Sequence, residues 1–225
     1  MDISIVVPAL DEEAQIAAAL ASARAPGVRE VIVVDGGSRD ATARVARQHA
    51  DAVLSAPRGR AVQMNAGAAA AGGDVLLFLH ADTRLPPGFD SAVLAALADP
   101  AVVGGRFDLR LVPGTPLLRL VGGLINLRSR LSRIATGDQA LFVRRSVFEA
   151  LGGFAAIPLM EDVAFTQALK RRGRIACLRE QVETSSRRWL RDGPLRTILL
   201  MWWLRLLYAC GVAPERLRRR YADTR

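Results

Sequence analysis

The sequence predicts an α/β fold, a three-layer sandwich with a mostly parallel central sheet, and three observations predict it. Two strand-like runs each end in an acidic turn: Val31-Ile32-Val33-Val34-Asp35, and Val75-Leu76-Leu77-Phe78-Leu79 followed by His80-Ala81-Asp82. Runs that are apolar at every position mark strands covered on both faces. Strand-like and helix-like periodicities alternate along the first hundred residues, the pattern of right-handed βαβ units. Carboxylates at the carboxyl ends of such strands stand in the crevice where open α/β sheets bind ligands.

Taken in order, the chain opens on a strand at Ile3 to Val7 and lacks the basic, apolar and cleavage regions of a signal peptide. A helix follows near Glu12 to Ala25, a strand at Val31 to Val34, a helix at Ala41 to Ala50 and a strand at Ala52 to Leu54. The next helix, Ala61 to Ala71, is rich in the strongest helix former. It leads to the strand at Val75 to Leu79 and a helix at Phe89 to Ala98. Beyond Pro100 the alternation changes. Late strands are expected around Gly104 to Leu109 and Gln139 to Val143, separated by a helix over Leu117 to Arg133, with a further helix from Val163 to Arg171. At 225 residues the chain is long enough for one substantial core, so residues 1–190 are read as one domain and 191–225 as a C-terminal helical extension.

That extension is strongly apolar from Leu195 to Val212, but Arg196 and Arg205 interrupt it. A membrane-spanning helix wants about 20 residues without such charges, so a span is not expected. Trp202, Trp203 and Tyr208, followed by Arg216, Arg218, Arg219 and Arg220, fit an amphipathic helix lying peripherally on a membrane. Packing on its own domain or on a second copy in a homodimer stays open as the alternative.

The net charge is +9, and all but one of the 31 basic residues are Arg, Lys170 being the exception. Such basicity suits diphosphate substrates, an anionic membrane surface or nucleic acid. Nucleic acid is not expected as a partner, because no nucleic-acid module is present and aromatic residues for stacking are few. Cys177 and Cys210 lack CxxC spacing, which argues against a disulfide framework or zinc site and fits a reducing cytoplasm.

Four groups of residues carry chemistry. The first is Val6-Val7-Pro8-Ala9-Leu10-Asp11-Glu12-Glu13, and the second is Val33-Val34-Asp35-Gly36-Gly37-Ser38-Arg39-Asp40-Ala41-Thr42. Asp35 suits hydrogen bonds to a base or ribose, while Gly37 and Ser38 let the backbone approach a nucleotide and start a helix; plain helix capping is the structural alternative for Ser38 and Asp40. The third, Pro57-Arg58-Gly59-Arg60 running on to Asn65-Ala66-Gly67, is a basic loop at a helix start, which attracts phosphate. The fourth is Met160-Glu161-Asp162, preceded by Gly152-Gly153-Phe154 and by Gly137-Asp138-Gln139. Its acidic pair suits either general base chemistry or capping of the helix that follows.

In this order and spacing, with His80-Ala81-Asp82 between them, these groups resemble the family-2 glycosyltransferases, which have the Rossmann-like GT-A fold. The resemblance runs from Ile3 to about Trp189, and it departs at Asp11, where Asn is usual, and at Gly36, where many relatives carry a second Asp. It implies transfer of a sugar from a nucleotide-diphosphate donor to a small-molecule or lipid-linked acceptor hydroxyl, metal-assisted by Mg²⁺ or Mn²⁺ and inverting. It implies donor-binding roles for Pro8, Ala9, Leu10, Glu12, Asp35, Gly37, Ser38, Arg58, Arg60, Asn65, Gly67, Ala81 and Asp82. His80-Ala81-Asp82 stands at the family's Asp-x-Asp motif, so Asp82, with His80, is expected to hold the metal. Asp162 takes the position of the catalytic base, with Glu161 supporting it, and Gly137, Asp138 and Gln139 belong to the acceptor side. Ser186-Arg187-Arg188-Trp189 is similar to an element of processive members and implies acceptor contacts from Arg188 and Trp189. Within the family, His80-Ala81-Asp82-Thr83 and the Trp-rich C-terminal helix resemble small bacterial members, some associated with arsenosugar biosynthesis. A nucleotidyltransferase is the runner-up, but it would carry a Gly-rich loop after the first strand, and Pro8 to Glu13 contains no Gly. A non-catalytic nucleotide- or membrane-binding protein is the other alternative.

Overall fold

The computed structural model describes residues 1–222. Its first half is built as the periodicity predicts. Strand β1 (Ile3–Ala9) is buried along its whole length and lies parallel to β2 (Val28–Asp35) on one side and β4 (Val75–Phe78) on the other; β3 (Ala52–Ser55) extends the sheet beyond β2. Helices α1 (Ile16–Ser22), α2 (Thr42–His49) and α3 (Arg60–Ala70) connect them. Alternate residues of the same strands enter two separate cores. Ile5, Val7, Val31, Val33, Val75 and Leu77 join one, with Ile16 and Leu20 of α1. Val6, Ile32, Val34, Leu76 and Phe78 join the other, with Ala61, Met64 and Ala68 of α3. Helices cover both faces, which is why these runs show no polar alternation.

The sheet has eight strands in the order β3-β2-β1-β4-β7-β6-β8-β5, where β5 is Thr83–Arg84, β6 Val102–Val112, β7 Leu141–Arg144 and β8 Arg174–Ser185. Antiparallel β7 joins β4 to β6, and β8 runs parallel to β6 and pairs with β5. The remaining helices of the domain are α4 (Phe89–Ala96), α5 (Pro116–Ser132), α6 (Arg145–Ala150) and α7 (Glu161–Leu169). This is the mostly parallel α/β arrangement of the GT-A fold.

Strand β5 and helix α6 were not expected from the sequence, α1 is shorter than expected, and three further differences bear on the site. β7 starts at Leu141 because Gly137–Gln139 forms a short 3-10 turn held by a capping box between Thr136 and Gln139. α7 starts at Glu161, since Met160 takes a left-handed conformation (φ 70°) and turns the chain into the helix two residues early. β8 carries no clear strand signal: its middle, Arg179, Glu180 and Gln181, is exposed, and its register with β6 slips between the Arg106 and Asp108 pairings. Pairing with β6, not periodicity, makes it a strand.

α5 is tied to β6 by polar contacts. The Asn126 side chain accepts from the Leu109 N–H at 2.9 Å and donates to the Leu109 carbonyl at 3.0 Å. Fully buried Arg106 pairs with Asp108, which Arg130 of α5 also reaches.

The C-terminal segment is not one helix. Helix α8 (Arg187–Asp192) precedes α9 (Pro194–Ala209), and α10 (Pro214–Ala222) follows a break at Gly211 (φ 83°). Residue 190 therefore falls inside α8. One side of this segment packs on the chain itself: Leu204 and Leu217 are fully buried against Leu159, Met160 and Val163, the residues around the start of α7. Among the described residues no helix is long and apolar enough to cross a membrane.

Leu204→Ala removes the centre of this third cluster. It should lower unfolding stability by about 2–5 kcal/mol, the usual cost of emptying a buried leucine site, as read by denaturant titration. A change below ~0.5 kcal/mol would mean that the C-terminal helices do not depend on this contact.

Candidate active site

The carboxyl ends of β1, β2 and β4 meet at one edge of the sheet, and hydrogen bonds stitch their turns together. The Asp11 N–H donates to Ser38 Oγ at 3.0 Å, and the Arg39 N–H to Asp11 Oδ1 at 2.8 Å; the Glu12 N–H donates to Thr42 Oγ1 at 2.7 Å and the Ala41 N–H to Glu13 Oε2 at 2.8 Å. Asp11 holds a positive φ of 53° to make this turn, a conformation that Asp and Asn tolerate better than most residues. Buried Asp35 caps its own turn: its carboxylate accepts from the Gly37 and Ser38 N–H groups, both at 3.1 Å, and from the Ser38 hydroxyl. These bonds leave part of its acceptor capacity open.

Gln63 of α3, which the sequence reading passed over, bridges this edge. Its side-chain amide donates to the carbonyls of Ala9 (2.9 Å) and Val34 (2.8 Å) while remaining buried, and it packs directly against Gly36. The space beside position 36, where relatives carry an acid, is filled by that amide. Gly67, on the same helix, works through packing: a Cβ there would lie 2.4 Å from Val6 Cγ1. Asn65 spends its amide on the Phe154 backbone, donating to the carbonyl at 2.8 Å and accepting from the N–H at 2.9 Å. It anchors the Gly152-Gly153-Phe154 loop to α3. Arg58 is exposed just before that helix.

Asp82 follows β4 and is joined by Glu12 from the β1 turn. Arg187 spans the two, 2.8 Å from Glu12 Oε2 and 4.0 Å from Asp82 Oδ2. Burial pushes both carboxyl groups above their usual range, and Arg187 opposes it. Which arginine of Ser186-Arg187-Arg188-Trp189 arrives here is decided by the β5–β8 pairing: Thr83 sits opposite Thr184, and the Ser185 N–H donates to the Asp82 carbonyl. The structure thus brings Arg187 to the acidic pair. Arg188 instead stacks over Tyr221 with its guanidinium 4.2 Å from the ring centroid, and half-buried Trp189 packs on the main core.

On the other side of the cleft lie Glu161 and Asp162 at the N-terminus of α7. Asp162 Oδ2 accepts from the Gly137 N–H at 2.8 Å and Oδ1 from its neighbour Val163 at 2.7 Å. These bonds fix the carboxylate while leaving lone pairs open. Glu161 is buried and pairs with Arg60 at 2.9 Å, yet its Oε2 has no hydrogen-bond partner among the described residues; Asp138 Oδ1 is in the same position. Burial raises both carboxyl groups, and Arg60 pulls Glu161 back down while nearby Asp162 adds to the rise in Asp138. Asp82 stays raised by burial, with Arg187 the main charge opposing the rise and Arg60 a minor one. Met64, Phe78, His80, Gly137, Leu141 and Phe154 line a narrow cleft together with Glu161 and Asp162.

His80 packs against Gly137, so closely that a Cβ there would lie 2.4 Å from its Nε2. It therefore lines the Glu161–Asp162 side. Burial, with Arg60 adding to it, lowers its pKa to about 3, so the imidazole is neutral. Among the described residues no three His, Cys, Asp or Glu side chains gather as a metal cage. Asp82 with Glu12 nevertheless offers a pair of carboxylates, a donor set that fits a hard cation completed by phosphate oxygens and water. Cys177 and Cys210 are both free thiols.

With the geometry in view, comparison with known proteins places the chain. The model for glycosyl transferase family 2 matches residues 4–154, and the chain belongs to that family. A search of curated protein sequences returned no match. Among solved structures, glucosyl-3-phosphoglycerate synthase from Mycobacterium tuberculosis, in complex with Mn²⁺, uridine-diphosphate and glucosyl-3-phosphoglycerate, aligns with a TM-score of 0.66 at 24% identity, covering 94% of this chain and 80% of that one. S. aureus TarS 1-349 in complex with UDP-GlcNAc aligns with a TM-score of 0.65 at 20% identity, covering 82% and 58%. TarS 1-349 without ligand in its description gives the same TM-score, and this chain spans 61% of it. These likenesses establish the fold.

The depressed His80 pKa carries a stability consequence. The unfolded imidazole binds a proton below about pH 6.5 and the folded one only near pH 3, so folding loses stability as pH falls through that window. His80→Asn should remove part of the loss. Between pH 7 and pH 4.5 the wild type should lose on the order of 1–2 kcal/mol more than the variant, a figure that allows for the imidazole's partial contact with solvent. Parallel denaturant titrations at the two pH values test it; identical losses would refute it.

Proposed function

We propose that this chain transfers a sugar from a nucleotide-diphosphate donor to an acceptor hydroxyl, with the help of Mg²⁺ or Mn²⁺ and with inversion. The observation that carries the reading is the set of acidic groups on a family-2 sheet: Glu161 and Asp162 line a narrow cleft with His80, two residues before Asp82, and Asp82 stands beside Glu12 under Arg187. The donor lies against the β1 and β2 turns, contacting Pro8, Ala9, Leu10, Gly37, Ser38 and Ala81, with Asp35 facing the nucleoside and Arg58 and Arg60 the phosphates. A divalent cation, when bound, is held by Asp82 and neutralises the leaving diphosphate. His80 supports the acceptor side of the cleft; its neutral state leaves it a hydrogen-bonding and packing group. Arg187 supplies a further positive charge beside the leaving phosphates.

The acceptor hydroxyl enters against Asp162, with Gly137, Asp138 and Gln139 beneath it, while Arg188 and Trp189, turned to Tyr221 and the main core, support the fold around the site. Its oxygen attacks C1, the bond from C1 to the diphosphate oxygen breaks, and the hydroxyl proton passes to Asp162. Glu161, whose second oxygen lacks a partner, accepts from a neighbouring hydroxyl of the acceptor. The same GT-A relatives support this assignment by their contents: the mycobacterial synthase carries Mn²⁺ and a nucleotide diphosphate, and TarS a nucleotide sugar. The acceptor is a small molecule, as the resemblance to arsenosugar-associated members suggests, or a lipid-linked hydroxyl. A cytoplasmic location suits a nucleotide-sugar donor.

Asp162→Asn keeps one of the two backbone bonds and should cost only about 0.5–1.5 kcal/mol of stability, while turnover falls ~10²-fold or more because the amide takes no proton. Glu161→Gln should be milder. Donor hydrolysis, assayed beside a melting curve, measures both, and a normally folded Asp162→Asn protein with most of its activity would remove Asp162 as base. On the donor side, Asp82→Ala should weaken binding of a nucleotide diphosphate with Mn²⁺ by ~10-fold or more and leave the nucleoside almost untouched. Calorimetry with and without metal distinguishes the two ligands, and an equal effect on both would overturn the metal assignment.

A further inference from the structure

Large apolar side chains are exposed in two ordered rows. On α5 these are Leu117, Leu120, Leu124, Leu127 and Leu131, between 41% and 78% exposed. On α9 they are Leu195, Leu199, Trp202, Trp203 and Leu206, between 51% and 71% exposed. The spacings of three and four residues put each row on one side of its helix. Ten of the fourteen large hydrophobics exposed among the described residues belong to these two helices, so the rows are not the scattered apolar residues of an ordinary surface.

Neither row is a buried face turned outward by accident. The opposite side of α5 is fixed by the Asn126 amide on Leu109 and by Arg130 on Asp108, with Leu118 and Val121 in the core. The opposite side of α9 is fixed by Leu204. Ile134, just past α5, packs on the same cluster as Leu200 and Met201 of α9, which sets the end of α5 beside that helix.

The charges around the rows are mostly positive. Besides Arg130, which Asp108 holds on the far side of the helix, α5 carries Arg119 and Arg128; α9 carries Arg196 and Arg205, and neither helix contains Asp or Glu, the nearest acid being Asp192 just before α9. Exposed Arg133 ends α5, and exposed Arg216, Arg218, Arg219 and Arg220 follow α9, with Glu215 the single acid of α10. A shallow cleft of about 500 Å³ on α9 is lined by Arg196, Leu199, Leu200 and Trp203, an arginine among apolar side chains.

We propose that the α5 and α9 rows together form a docking face for an anionic lipid surface. Leucine rows flanked by arginines match a bilayer interface: acyl chains take the apolar rows, lipid phosphates take the guanidinium groups, and Trp202 and Trp203 sit at headgroup depth. Charge decides against a second copy as the occupant, since pairing this face with itself would oppose arginines with no acidic partner. The α9 helix rests on Met160 and Val163, which flank Glu161 and Asp162, so a docked enzyme holds its cleft next to the lipid headgroups.

The test is co-sedimentation of the full chain with vesicles of phosphatidylcholine, with and without roughly 30% phosphatidylglycerol. Wild type should bind the anionic vesicles at least ~10-fold more tightly than the neutral ones and lose most of that binding as salt rises from ~0.1 to ~0.5 M. Leu124→Ser/Leu127→Ser and Leu199→Ser/Trp202→Ser should each weaken binding by at least ~5-fold, with melting curves held close to wild type because all four positions are exposed. If the anionic vesicles are not bound, or are bound by both double variants as tightly as by wild type, the proposal fails. It also fails if light scattering shows a dimer that the same substitutions dissociate while vesicles are ignored.

Discussion

Concentrating acidic groups in one crevice is the constraint on which the rest of the site depends. Glu12, Asp82, Asp138, Glu161 and Asp162 all come to the carboxyl edge of the sheet, and burial works against the charged form of Glu12, Asp82, Asp138 and Glu161. Two arginines offset this. Arg187 lies across Glu12 and Asp82, and Arg60 pairs with Glu161 while its charge reaches Asp82. Each ion pair joins segments far apart in the chain: Arg187 follows the last strand and meets Glu12 in the turn after the first, and Arg60 starts α3 and meets Glu161 at the start of α7. Their geometry is as much a part of the fold as the two hydrophobic cores.

The backbone amides complete the arrangement. Asp162 is held by the Gly137 N–H, which belongs to a 3-10 turn that Gln139 caps, and the same glycine gives His80 its place. His80 and Asp162 are therefore both positioned by one short turn. The C-terminal helices bear on this turn's partner: Leu204 and Leu217 cover Met160 and Val163, so the segment that carries the exposed leucine and tryptophan row also braces the start of α7.

Much of this was legible in the chain. The continuous apolar runs marked the buried parallel strands because side chains on both faces of β1, β2 and β4 enter a core. The acidic turns marked the binding edge because strand ends in such sheets open into a crevice. β8 was not legible: its polar middle reads as a loop, and its hydrogen-bonding partner β6 lies some seventy residues earlier. Gln63 was missed for a similar reason, since an amide that bridges two strand ends looks, in sequence, like any polar residue on a helix. Asp35 and Asn65 were read as ligand-facing, and the structure shows how much of each is spent on the protein itself, on a turn in one case and on the Phe154 backbone in the other.

The sequence by itself determined the fold class, the order of the early elements, the family and the set of residues at the sheet edge, because local periodicity and short motifs carry that information. Only the tertiary structure decided which arginine of Arg187-Arg188 faces Asp82, since that depends on the β5–β8 register. It also decided that His80 turns toward Gly137 and that the C-terminal apolar run is divided, one side buried on Leu159, Met160 and Val163 and the other open with its leucines and tryptophans. Each of these is a contact between segments far apart in the chain, and no local pattern encodes which of several equivalent side chains arrives there.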